Sequence, residues 1–277
     1  MALLGSLVQI SRRSYLCGNQ LPRRVLWTTA FQESLAGTVA YHRSYILLHT
    51  HQPTSEYPSK FHSPLQRALL LKTARWGGVV NFSYSPDQPC HPGYSGLGDT
   101  QPEAYSATAF SACGRIELPE VSTANLDDVA ETLQTHADTN SPSPAHAEER
   151  DSRTLHLYVC THGARDCRCG DTGGAVYEAL RSEVGYWWEA SDMLGVTTSV
   201  NASAIGRYAA NILVYPHGDW LGIVRPGDVP VVLDEILARH DVTKEYHASL
   251  SPLCPKFWRG RMGLAKDEQL ALFSPTS

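Results

Sequence analysis

TLHLYVCTHGARDCRCG, residues 154–170, sets three cysteines and one histidine between an alternating apolar stretch and GGAVYEALRSEV, residues 173–184. Apolar and polar residues alternating with period two predict a strand that ends near Cys160. After the glycine pair the apolar positions recur at helical spacing, which predicts a helix. The cysteines therefore sit in a loop at the carboxyl end of a strand and just ahead of a helix, the place where open α/β sheets expose their reactive groups.

Working outward, the first half of the chain repeats this order. RSYILLHT (43–50) reads as a buried strand, HQPTSEYPSKFHSP (51–64) as a proline-punctuated loop, LQRALLLKTARWGG (65–78) as a helix and VVNFSYS (79–85) as a second strand. A strand, a crossover helix and a second strand pair in parallel most economically. Gly, Pro and Ser are dense from 86 to 115, which predicts loop there; RIELPEVS (115–122) reads as a strand and TANLDDVAETLQTHA (123–137) as a helix. Downstream, ILVYPHGDWLGIVRP (212–226) reads as two short strands about a turn, and DVPVVLDEILARH (228–240) as a closing helix. FWRGRMG, from 257, suits a docking surface and a packed tail equally. The fold class expected is α/β, with two thioredoxin-like domains at 41–137 and 154–277. Between them DTNSPSPAHAEERDSR (138–153) lacks periodicity and reads as a linker.

Bulk properties exclude several classes. With 277 residues the chain has room for two domains. A net charge of -5 supplies no sequence-wide basic field, so no nucleic-acid partner is expected. No run of apolar residues reaches the roughly 18–20 that a membrane-spanning helix needs, so no integral membrane segment is expected. Seven cysteines, an odd count, argue against a secreted disulfide framework. Residues 1–32 hold four arginines and neither Asp nor Glu, the composition of a mitochondrial targeting segment, which is expected over 1–40.

The cysteine loop itself leaves three chemistries open. Arg165 and Arg168 beside the thiols favour thiolate, the form that binds metal or attacks disulfides. Cys167-Arg168-Cys169 is tighter than the Cys-x-x-Cys of a thioredoxin-type dithiol. A zinc site would draw on Cys160, His162, Cys167 and Cys169, but so compact a set lacks the usual two-plus-two separation. An iron-sulfur site would take Cys160 and Cys169 and require two more ligands from elsewhere.

CTHGARDCRCG (160–170), taken with RYAANILVYPHGDWLGIVRP (207–226), resembles the sucrase/ferredoxin-like family of thioredoxin-fold ferredoxins. FWRGRMGLAKDEQ (257–269) and the basic N-terminus resemble its fungal altered-inheritance-of-mitochondria branch. The resemblance implies a ferredoxin-like C-terminal domain in which Cys160 and Cys169 bind a 2Fe-2S cluster, with Cys167 and His162 as additional candidate ligands. It implies a mitochondrial redox protein, in electron transfer or redox quality control, with redox proteins or thiol-containing clients as partners. In the family two downstream histidines complete the cluster; aligning Tyr208, Ala209 and Asn211 with the end of that segment puts Ala202 and Gly206 at those positions. Neither residue can ligate a metal. The alternatives are a metal-free thiol-disulfide protein and a scaffold that has lost the cluster.

Overall fold

A computed structural model describes residues 34–53, 56–58, 63–86, 90–92, 103–138, 154–164, 166–188, 194–196, 208–242 and 246–273, with the side chains of 185–188, 194–196 and 241–242 excepted. The targeting segment expected at 1–40 lies outside the described residues up to residue 33, and so does the linker expected at 138–153 from residue 139. Residues Ser34–Ser277 form one compact unit built on two mixed sheets.

In the first sheet β1 (Ser44–His49) leads through α1 (Pro64–Thr73) to β2 (Gly78–Ser83), which runs parallel to it. β3 (Ala104–Ser111) and β4 (Gly114–Ser122) add an antiparallel hairpin, and α2 (Leu126–Asp138) follows. The strand order is β2-β1-β3-β4. The second sheet repeats this connectivity with β5 (Leu155–Val159), α3 (Gly174–Trp188), parallel β6 (Leu194–Val196), antiparallel β7 (Ile212–Tyr215) and β8 (Asp219–Leu221), then α4 (Val229–Val242). One further strand, β9 (Trp258–Arg261), closes the order β6-β5-β7-β8-β9, and α5 (Lys266–Phe273) ends the described chain. A βαβ unit followed by a hairpin and a helix, with the first strand inside, is the thioredoxin-like arrangement, and it occurs twice.

Two local expectations are corrected. The span 86–115, expected as loop, contains β3 from Ala104 to Ser111. Its sequence AYSATAFS is rich in small residues with weak β-propensity. The strand forms because both its edges are taken, by β1 and by β4, and because Ala107 and Ala109 let the helix layer pack closely on it. The helix expected to close the chain at 228–240 is followed by β9 and α5.

Strand residues alternate between two buried layers, which explains why the central strands are apolar on both faces. Ile46 and Leu48 of β1 join Leu65, Leu69, Val129 and Leu133 under α1 and α2. Leu157 and Val159 of β5 face Val176 and Leu180 of α3 and Val232 and Ile236 of α4. Tyr45 and Leu47, with Phe110, meet Tyr158, Leu213, Tyr215 and Trp220 in a single cluster between the two sheets. Phe110 stacks on Tyr215 with ring centroids 4.1 Å apart and 8° between planes, and Tyr45 meets Trp220 edge-on at 5.4 Å. The order of layers is thus helix, sheet, sheet, helix, with aromatic rings joining the sheets.

Candidate functional site

Cys160 follows β5 directly, and its N–H donates to the carbonyl of Asn211 at 3.1 Å, so it extends the β5 pairing with the β7 side. By the strand alternation its side chain points into the layer between the sheets, where it packs with Tyr45, Tyr158 and Cys169. The chain then turns tightly: the Asp166 N–H donates to the His162 carbonyl, and Cys169 and Gly170 both donate to the Asp166 carbonyl. The Asp166 carboxylate accepts from the Arg168 backbone N–H at 3.0 Å and from both arms of its guanidinium, which holds that carboxyl below its ordinary pKa. A single wide π turn, Cys169–Gly173, then carries the chain into α3.

Three glycines make this turn feasible. A side chain on Gly163 or Gly170 would meet the other glycine's backbone, and a Cβ on Gly173 would overlap the Cys160 carbonyl oxygen. The loop can therefore fold flat against the strand end and return Cys169 to Cys160. Both thiols are buried, at 2% and 3% exposure, and neither is in a disulfide. Cys169 interacts with Cys160; that interaction first, and burial second, push its pKa well above the ordinary thiol value, so the thiolate expected beside Arg168 is not favoured at Cys169.

The other sequence-derived candidates lie apart from this pair. Cys167, in the same turn, is exposed. His162 is buried with its Nε2 3.3 Å from the carbonyl of Tyr57. His49 is lodged between the hydroxyls of Ser83 and Thr108, each at 2.9 Å, while His51 is exposed. Among the described residues no group of three or more His, Cys, Asp or Glu side chains converges as a metal site would require. Ala202 and Gly206 lie outside the described residues.

A 2Fe-2S cluster takes four protein ligands. The described residues bring two thiols together, and the positions matching the family's histidines hold Ala and Gly. Among the described residues, fewer than four ligands converge on this pair.

Two contributors to this region were not assigned from sequence. Asn211 accepts from Cys160 through its backbone carbonyl and from Arg259 Nη1 through its side chain, at 2.7 Å. Arg259 is only 2% exposed, lies over the Tyr208 ring at 4.1 Å, and is within electrostatic reach of Cys160. Burial lowers its pKa to about 10. Its acceptors are Thr38 and Asn211, and among the described residues no carboxylate pairs with it. The neighbouring Arg261 differs, forming a buried ion pair with Asp219 at 2.9 Å. The signal in the sequence was the placement of both arginines in an otherwise apolar tail segment.

Comparison with known proteins agrees with this picture at the family level. Actin patches distal protein 1 of Saccharomyces cerevisiae is 30% identical over 112 residues, which is 37% of this chain and 34% of the yeast protein, so the match spans about a third of that relative. Among solved structures, the thioredoxin-like 2Fe-2S ferredoxin of Aquifex aeolicus aligns at 18% identity with a TM-score of 0.30, covering 39% of this chain and 99% of the ferredoxin. A second structure of that ferredoxin aligns at 19% identity with a TM-score of 0.30 and covers 39% and 93%. Likeness at that score transfers no residue roles. The model of the sucrase/ferredoxin-like family matches residues 35–248, most of the two sheets and their helices, and the chain belongs to the sucrase/ferredoxin-like family.

Proposed function

We propose that this protein is a redox protein whose working centre is the Cys160–Cys169 pair, interconverting between dithiol and disulfide. The observation that carries the reading is the packing of two thiols nine positions apart in sequence into one buried cluster, with no group of three metal-ligating side chains among the described residues. The partner is a disulfide-bonded protein or small molecule. In the exchange the Cys160–Cys169 S–S bond forms, the partner's S–S bond breaks, and two electrons with two protons pass to the partner as two thiols. The reverse direction oxidises a dithiol client. Each exchange runs through a mixed disulfide, so its direction depends on the relative reduction potentials. Electron transfer through a 2Fe-2S cluster, which the family likeness suggests, needs ligands that Ala202 and Gly206 cannot supply.

We place the protein in mitochondria. Support comes from the acid-free, arginine-bearing N-terminal 32 residues, whose positive charge an inside-negative membrane potential would draw inward. Among the described residues no helix is long and apolar enough to cross a membrane.

Protein purified without oxygen, then exposed to oxidised glutathione, alkylated and digested, tests the centre. The expected product is a peptide pair linked through Cys160 and Cys169, absent in Cys160→Ser. Stoichiometric iron and sulfide in the purified protein, lost in Cys160→Ser, would overturn the dithiol reading in favour of a cluster. Free thiols at both positions across the range of biological potentials would leave an inert scaffold. A fusion of residues 1–40 to a fluorescent protein tests the compartment, with mitochondrial fluorescence expected and diffuse fluorescence contradicting it.

A further inference from the structure

The stretch from Ser34 to His42 does not behave as part of a disposable leader, although the sequence assigns a targeting segment to 1–40. Its backbone lies along β9, the outer strand of the second sheet. The Thr38 N–H donates to the Arg259 carbonyl at 3.1 Å, taking a bond that an edge strand otherwise leaves open. Arg259 answers through its side chain, with Nε on the Thr38 hydroxyl and Nη2 on the Thr38 carbonyl, both at 3.1 Å. Two more bonds secure the crossing: Gln269 Nε2 donates to the Val39 carbonyl at 3.2 Å, and the Gly263 N–H donates to the His42 carbonyl at 2.8 Å. Apolar side chains are buried at both ends. Ala36 belongs to the core under α3 and α4, and Val39 to the cluster between the sheets.

Removing these residues would leave Arg259 buried with Asn211 as its sole hydrogen-bond acceptor among the described residues, and would uncover the β9 edge. A buried charged donor stripped of its partners is costly to keep. Arg259 also reaches the Cys160 site through Asn211, so the loss would be felt there.

We propose that residues 34–42 are a permanent strap of the folded body, and that leader removal occurs by hydrolysis of one peptide bond on the N-terminal side of Ser34. Water is the co-reactant, its oxygen passing to the new carboxylate and its hydrogen to the new amine. The processing half of this inference rests on the mitochondrial placement; the strap does not.

The test compares three forms. The N-terminus of the protein recovered from mitochondria is mapped by mass spectrometry, and it is expected downstream of Met1 and no later than Ser34; an N-terminus beyond Ser34 overturns the proposal. Chains beginning at Ser34 and at Arg43 are expressed and melted beside the full chain. The Ser34 form is expected to melt with the full chain, and the Arg43 form at least about 10 °C lower or not to fold. Equal melting of both truncated forms overturns the strap. Val39→Asp in the full chain is expected to lower the midpoint in the same direction, and an unchanged midpoint counts against the strap in the same way. A full-length, unprocessed protein in cells would sink the processing half, while the truncation series would still decide the strap.

Discussion

At the scale of single residues, the site depends as much on missing side chains as on reactive ones. Gly173 faces the Cys160 carbonyl with no room for a methyl group, and Gly163 and Gly170 lie back to back. Gly173→Ala should therefore push the start of α3 away from the strand end. Overpacking of this kind costs about 1–3 kcal/mol, read as a lower urea midpoint, and the Cys160–Cys169 disulfide should form more slowly in the same variant. An unchanged midpoint would mean that the turn relaxes without cost. From sequence the glycines were visible as turn signals, and the cysteines as a cluster. The resemblance singled out Cys160 and Cys169; spacing alone did not, because Cys167 and Cys169 are closest in sequence while the fold packs Cys160 with Cys169 and leaves Cys167 exposed.

Among elements, α1 shows how far local signals reach. Ser63 stands outside the first helical residue, its hydroxyl accepting from the Gln66 N–H at 2.9 Å, and Pro64 fills the first turn where its missing N–H does no harm. Ser63 also donates to Glu103, which accepts from the Leu65 N–H and the Tyr105 hydroxyl as well, so the cap is tied to the chain just before β3. Ser63→Ala should lower stability by about 1 kcal/mol in chemical unfolding, with most of the helix retained by circular dichroism. By its local pattern the sequence puts Ser63 and Pro64 in the preceding loop, whereas the apolar spacing of α1 was legible in advance. β3 was not, since the small residues of AYSATAFS form a strand only when β1 and β4 flank it. Its stability is tertiary, and a sequence window contains neither neighbour.

On the scale of the whole molecule, the two thioredoxin-like halves are joined by an aromatic layer. Phe110 is its centre, stacked on Tyr215 and edge-on to Tyr158 at 5.8 Å. Phe110→Ala should cost about 3–5 kcal/mol and should lower the single unfolding midpoint of both halves together. Two separated transitions would show that the halves fold independently. The same burial makes the fold acid-sensitive. Burial lowers the pKa of His42 and His49 to about 4, with Arg115 adding to the effect at His49; burial, then neighbouring cations and His240, lowers His156 and His217 to about 3. These imidazoles stay neutral in the fold but protonate in the unfolded chain below its ordinary value near 6.5. Between those values the unfolded state binds more protons, so stability is complete above pH of about 6.5 and falls on acidification, by up to about 1.4 kcal/mol per pH unit for each histidine. Urea midpoints at pH 7.5 and pH 5 check this, the lower one being expected at pH 5; a flat profile would contradict it. What the sequence by itself determined was the α/β class, the repeated strand-loop-helix order and the grouping of thiols at a strand end, because periodicity and turn chemistry are local properties of the chain. The tertiary structure alone decided that the halves pack sheet against sheet, that Cys167 stays exposed beside the buried Cys160 and Cys169, and that residues 34–42 bind Arg259. Those pairings join positions far apart in sequence, and their energy comes from burial that no local pattern records.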